Sequence, residues 1–222
     1  MAWLTPVVVV AFIAAALLAA RYGAQRERKR RLAAQARARS LGYEMDLDDG
    51  KPPQLGMALF ELGRSQRVSY RTWRHDSPDS VFQYQYVTGS GDDQKTHRRT
   101  AVLVHVPFDA PHLRIELEGF WSTVGRAVGI RDIEIESEAF NDRYRVRSDD
   151  ERFAITLLDH EMIAWMLSPH SGGGEVRFEF AGRWMLCWGD RIDDEHLIPL
   201  LQWAQHARLN LPEVLTSLYP PT

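Results

Sequence analysis

Residues 67–88 read RVSYRTWRHDSPDSVFQYQYVT, and this stretch decides the class of the fold. In residues 67–75, Val68, Tyr70 and Thr72 share one face by spacing. In residues 80–88, Phe82, Tyr84 and Tyr86 alternate with Val81, Gln83, Gln85 and Val87. Alternation with a period of two, in aromatic and β-branched residues, is the mark of a strand. Asp76, Ser77, Pro78 and Asp79 between them have the composition of a turn. The stretch predicts a β-hairpin.

C-terminal to the hairpin, residues 89–94 form a polar loop, and residues 99–106 form a third strand whose run Ala101, Val102, Leu103, Val104 suits a buried position. Residues 108–111, ending in Pro111, read as a turn. A fourth strand follows at 112–118, with Leu113, Ile115 and Leu117 inward. Short links between successive strands favour an antiparallel meander.

The pattern then shifts towards helix. Ser148 and Glu151 have the spacing of a capping box that opens a helix at 152–158. Asp159 caps a second helix at 161–167, which Ser168 and Pro169 stop. Beyond a link at 172–174, residues 175–180 alternate strictly, Ala181 and Gly182 read as a turn, and residues 183–188 return as a second hairpin. Residues 193–209 are helical by pattern, with Leu197, Leu200, Leu201 and Ala204 on one stripe; Pro199 marks where the regular helix begins. The fold class is α+β, with a mainly antiparallel sheet and a few helices.

N-terminal to the hairpin the chain changes character. Residues 2–20, AWLTPVVVVAFIAAALLAA, carry no charge. As a helix they cover about 28 Å, close to the ~30 Å hydrocarbon thickness of a bilayer. Thr5 and Pro6 read as an N-cap and first helical residue. Trp3 and Tyr22 fall where the two interfacial aromatic belts would lie. A transmembrane helix over residues 1–22 is expected, as an uncleaved anchor; a signal peptide would need positive charge before the apolar run, and none is present.

Residues 21–39 hold eight basic side chains against one acid, Glu27. That +7 within a chain of net charge −3 leaves −10 for the rest. Such a collar stops transfer and, by the positive-inside rule, places the following domain in the cytoplasm with the N-terminus outside. Residues 23–41 are expected to be a basic juxtamembrane helix or linker, closed by Leu41 and Gly42, and residues 42–222 the cytoplasmic domain. Arg26, Arg28, Lys29, Arg30 and Arg31 would meet anionic lipid headgroups, each contributing about 1 kcal/mol. A nucleic-acid role is discounted, because the domain beyond the collar is acidic.

Residues 129–158 include Glu136, Ser137, Phe140, Asn141, Tyr144, Val146, Asp150 and Ala154. With the anchor-plus-domain plan and the early Leu41, Gly42, Tyr43, Glu44, they resemble an actinobacterial group of membrane-anchored proteins of unknown function. The resemblance implies this architecture and marks Glu136, Ser137, Phe140 and Asn141 as a motif without a known role. It implies no activity.

Reactive chemistry is weakly signalled. Glu134, Glu136 and Glu138 would share one strand face opposite Ile133 and Ile135, which suits a hard cation or a solvated face, the commoner case. His160 and Glu161 resemble a zinc-protease start, but position 164 is alanine where the second ligand should stand. Cys187, the one cysteine, sits in an apolar strand as an inert thiol would. His105 fits a core histidine, and the strand aromatics fit a core. No catalytic, metal or cofactor residue is assigned. The expected function is a non-enzymatic interaction module on the cytoplasmic membrane face, with a membrane or cytoplasmic protein as partner. The alternative is a ligand- or lipid-binding domain, or an enzyme, whose pocket is not visible in sequence.

Overall fold

The computed structural model describes residues 4–117, 131–169 and 175–221, without the side chains of 4–14, 16, 17, 27 and 131. Trp3 and the links at 118–130 and 170–174 lie outside the described residues. One long helix, α1 (Leu4–Ser40), leads into the domain. Seven strands follow among the described residues: β1 (Glu44–Asp46), β2 (Arg64–Trp73), β3 (Ser80–Thr88), β4 (Lys95–Leu117), β5 (Arg131–Ile133), β6 (Tyr144–Ser148) and β7 (Val176–Asp190). The helices are α2 (Ala58–Glu61), α3 (Glu138–Asn141), α4 (Glu151–Leu157), α5 (His160–Leu167), α6 (Leu197–Gln205) and α7 (Val214–Leu218). Every strand pairing is antiparallel, in the order β1-β2-β3-β4-β6-β5, with β7 also on β4. The α+β class and the mainly antiparallel sheet agree with the sequence.

The expected third and fourth strands are one strand, β4. Residues 108–111 do not turn the chain. Pairing with β7 lapses between His105 and Ala110 and again before Leu113, so the strand bends and continues. Pro111 has no N–H to donate, and a break in the ladder is where that costs least. The bend also flips the inward parity: Val102, Val104, Val106 and Phe108 are core before it, and Leu113, Ile115 and Leu117 after it. The second expected hairpin is likewise one bent strand, β7, with Gly182 opposite Ala110. The two strands curl together so far that the ends of β7 approach each other: Arg177 lies 4.7 Å above the Trp188 ring. Each reads as two strands because Pro107, Asp109 and Pro111 in β4, and Ala181 and Gly182 in β7, have the composition of a turn.

The hairpin of β2 and β3 forms as expected, but Val68 and Tyr70 do not share a face. A bulge between Ser69 and Thr72 puts Tyr70 at φ 54° and turns it into the opposite core. Val68 packs with Phe82, Tyr84, Tyr86, Leu103, Leu186 and Trp188 under a lid made by Met57, Leu59 and Phe60. Tyr70 joins the larger core, where the inner faces of β4 and β7 meet helices α4 to α7.

Ser148 does not cap α4. Its hydroxyl donates to His112 O at 3.1 Å and accepts from Asp150 N–H at 3.1 Å, while Asp150 caps the helix by accepting from Phe153 N–H at 3.0 Å. Asp159 caps α5 as expected, accepting from Met162 N–H at 2.9 Å. α6 begins at Leu197, two residues before Pro199, and buries the expected Leu197, Leu200, Leu201 and Ala204.

α1 continues unbroken through the basic collar and ends as the sequence suggests. Gly42 stands at φ 79°, with Tyr43 N–H bonded to Ala38 O and Gly42 N–H to Arg39 O, each at 3.0 Å. This pair of bonds closes a helix when the residue after it can adopt a left-handed turn. No helix among the described residues is long and apolar enough to cross a membrane. The span expected over 1–22 falls largely on residues, or side chains, outside those described.

Candidate functional site

The collar is not a free linker at its domain end. Ala38 is fully buried in the larger core beside Tyr43, Met45 and Tyr70. Gln35 Nε2 donates to Met45 O at 2.8 Å. Arg37 faces Glu195 at 3.6 Å and Arg39 faces Glu44 at 3.8 Å, both solvated pairs that contribute little energy. The last three turns of α1 are thus fixed to the sheet chiefly by small apolar contact, and cavities open on either side of them.

One cavity, about 560 Å³, runs between α1 and the start of α6. Ala34, Leu41, Tyr43, Ile198 and Pro199 form its apolar part. Arg30 and Arg37 stand on one bank, and Asp193, Asp194 and Glu195 on the other.

The other cavity, about 440 Å³, lies where the inward face of the sheet turns polar. Antiparallel register fixes this. Arg67 of β2 is opposite Gln85 of β3, which is opposite Arg98 of β4. One pleat further, Ser69, Gln83 and Thr100 repeat the row. Val81 and Val102 continue the same face but are core. Side chains two apart point to one side of a sheet, so one face passes from apolar to polar along its length.

Three hydrogen bonds, each 3.0 Å, hold the wall opposite. Thr100 Oγ1 donates to Gln83 Oε1, Gln83 Nε2 donates to Ile192 O, and Ile192 N–H donates to Thr100 Oγ1. This closed triangle fixes the chain just after β7, and so places Arg191 at the cavity. α1 contributes Arg31, whose guanidinium lies 5.5 Å from the centroid of Tyr70, over the ring.

Arg31, Arg67, Arg98 and Arg191 therefore line one cavity with a single acid, Asp49. The pairings of the last three are modest. Arg67 meets Asp49 at 3.5 Å, with both side chains at least half exposed. Arg98 Nε donates to Gln85 Oε1 at 3.4 Å, and Arg191 faces Asp194 at 3.7 Å. Guanidinium groups offer forked donors to the oxygens of an anion, and this cavity is within the usual range for a small-molecule site.

The fold has a counterpart among solved structures. The crystal structure of the mycobacterial trehalose monomycolate transport factor A, TtfA, is similar at a TM-score of 0.58 and 13% identity, covering 85% of this chain and 95% of that chain. At that identity the likeness is one of fold. Its mycobacterial source is compatible with the actinobacterial resemblance of residues 129–158. No family model and no curated protein matches the chain.

The residues singled out from the sequence divide. Tyr22 is well exposed on α1. Arg26, Arg28, Lys29 and Arg30 are exposed along it, and Arg31 alone of the collar's first block reaches the 440 Å³ cavity. Three of the four motif residues make local contacts within the fold. Ser137 Oγ caps α3, accepting from Phe140 N–H at 3.4 Å. Phe140 is fully buried. Asn141 clasps the backbone of Ile135, donating to its O at 2.5 Å and accepting from its N–H at 3.3 Å. Glu136 is exposed. Ile133 and Ile135 are buried opposite exposed Glu134 and Glu136, and no group of side chains among the described residues could hold a metal ion. Cys187 is buried, and burial pushes its thiol far above the ordinary range. His105 is half-buried, edge-on to Trp184, with its pKa lowered first by burial and then by Arg183.

Arg67, Arg98 and Arg191 escaped the sequence reading. They lie in three separate segments, and in strands a charged residue every second position reads as a solvated face. The one available signal was Gln83 and Gln85, polar residues on a strand whose neighbours are all apolar or aromatic.

Proposed function

We propose that this protein is a membrane-tethered, non-enzymatic accessory factor in lipid transport, with its domain on the cytoplasmic face. The observation that carries this reading is the junction of α1 with the domain. The helix passes without interruption from the apolar N-terminal stretch into a fixed contact at Ala38. An anchor of this kind sets the orientation of the domain at the bilayer as well as its distance. Leu18 and Tyr22 are exposed on α1 beyond the domain, in keeping with a lipid or interfacial setting. Arg26, Arg28, Lys29 and Arg30 would then be drawn towards the anionic headgroup surface across a short screened distance rather than sit within it.

The transport part draws on the likeness of fold to TtfA, whose name describes a transport factor for a mycolate-bearing glycolipid. The groove between α1 and α6 is the surface on which a membrane protein partner would act, being next to the anchor and partly apolar.

Two measurements test this. Alkaline carbonate extraction of membranes should leave the full chain in the pellet, and protease should digest the domain in inside-out vesicles only; release by carbonate, or digestion in right-side-out vesicles, overturns the tether. Depletion of the protein, followed by lipid analysis of the fractionated envelope, should show a lipid accumulating where it is made. An unchanged distribution overturns the transport role.

A further inference from the structure

We infer that the four-arginine cavity is a binding site for a phosphomonoester, either a free phosphate ester or the terminal phosphate of a lipid headgroup. This goes beyond the tethering and transport reading, and only the choice between the two sources rests on the tether.

Arg31, Arg67, Arg98 and Arg191 come from α1, β2, β4 and the segment after β7, and converge on one cavity that contains a single carboxylate, that of Asp49. Gathering like charges costs Coulomb energy, which an anion in the middle returns. A protein that needed only a soluble surface would spread these arginines among its many acids. Here the domain carries net negative charge, yet the cavity does not.

The second step is valence. A carboxylate has two oxygens and one charge, enough for one or two guanidinium forks. A phosphomonoester near neutral pH carries close to two charges on three terminal oxygens, as a phosphorylated side chain does, and so can engage several forks at once. Asp49 sits 3.5 Å from Arg67, and both are solvated, so a dianion can displace that contact at little cost.

The third step is room and lining. A cavity of about 440 Å³ holds more than a phosphate. Ser69, Gln83 and Gln85 add neutral polar groups to the floor. They suit the hydroxyl-bearing body of a phosphate ester rather than an acyl chain. Distance along α1 then separates the two sources. With a bilayer span ending at Ala20, Arg31 is about 16 Å further along the helix, while the headgroup layer is only about 6 Å deep. A soluble ester reaches the cavity without tilting the helix or lifting a lipid.

The full chain in non-ionic detergent should bind sn-glycerol 3-phosphate by titration calorimetry. The variant Arg67→Gln/Arg98→Gln should weaken binding at least roughly tenfold, and Asp49→Asn should strengthen it, since it removes the one acid that lines the cavity. All three side chains are exposed, so urea midpoints of the variants should match the parent and exclude misfolding. In a second arm, hydrogen exchange across β2 is compared in phosphatidylcholine nanodiscs with and without phosphatidic acid, and with phosphatidylglycerol as the phosphodiester control. Binding in solution assigns a free ester. Protection by phosphatidic acid alone assigns the headgroup. No response in either arm, a response as strong to phosphatidylglycerol, or binding that the double variant retains overturns the inference. None of these results depends on whether the tether or the transport role stands.

Discussion

Arg31 lies over the ring of Tyr70, 5.5 Å from its centroid, and this contact ties the long helix to the bulge in β2. Tyr70 is almost fully buried although its φ of 54° is costly for any residue with a side chain. The surrounding core holds it there. Tyr70→Ala keeps the backbone strain and loses the packing, so it should destabilise the domain by about 3 kcal/mol. Urea denaturation reads the loss, and hydrogen exchange at residues 34–40 should rise at the same time. Unchanged exchange there would mean that Tyr70 does not hold α1.

Asp79 is fully buried at the β2–β3 turn. It accepts from His105 N–H at 2.8 Å, from Gln205 Nε2 at 2.8 Å and from Arg208 at 2.5 Å. One carboxylate thereby joins the hairpin, the bend of β4 and the end of α6. Asp79→Ala leaves three donors unsatisfied and should cost about 3 kcal/mol. A loss below ~1 kcal/mol in chemical denaturation would show that water replaces the carboxylate.

Gly189 packs against the backbone just before the start of the curled β7. A Cβ there would stand 2.5 Å from Glu175 O, a backbone atom that cannot swing aside. Gly189→Ala should therefore force the curl open and cost about 2 kcal/mol or more. Thermal unfolding of the variant measures this, and an unshifted midpoint would mean the two ends of β7 separate freely.

Glu116 has its pKa raised, first by burial, against the lowering pull of Arg114, Arg147 and Arg177. Its folded value thus exceeds the ordinary 4.5. The folded state holds the proton more tightly, so the contribution of Glu116 to stability is present in full below about pH 4.5 and is lost as pH rises through the folded value. Compared with the parent, Glu116→Gln should gain stability as pH rises above about 4.5. A stability difference that stays flat with pH across urea titrations would refute the assignment.

Cys187 is 1% exposed, and its thiol is held protonated by burial. Ellman's reagent should leave it unmodified in the native protein and react fully in urea. Rapid modification of the native state would show that β7 opens readily.

How much could be read in advance follows the range of the interactions. The β2–β3 hairpin, the cap at Asp159, the stop of α1 at Gly42 and the apolar stripe of α6 all depend on residues within a few positions of one another. So does the charge contrast between residues 2–20 and the collar. Propensity, capping and periodicity act at that range, and the sequence by itself determined these features. The bends that make single strands of β4 and β7, the bulge that separates Tyr70 from Val68, and the meeting of Arg31, Arg67, Arg98 and Arg191 were decided only by tertiary structure. A strand's register is settled by its partner, and no residue carries a local mark of the partner it will face. Charges far apart in the chain acquire a shared meaning only when the sheet brings them to one cavity.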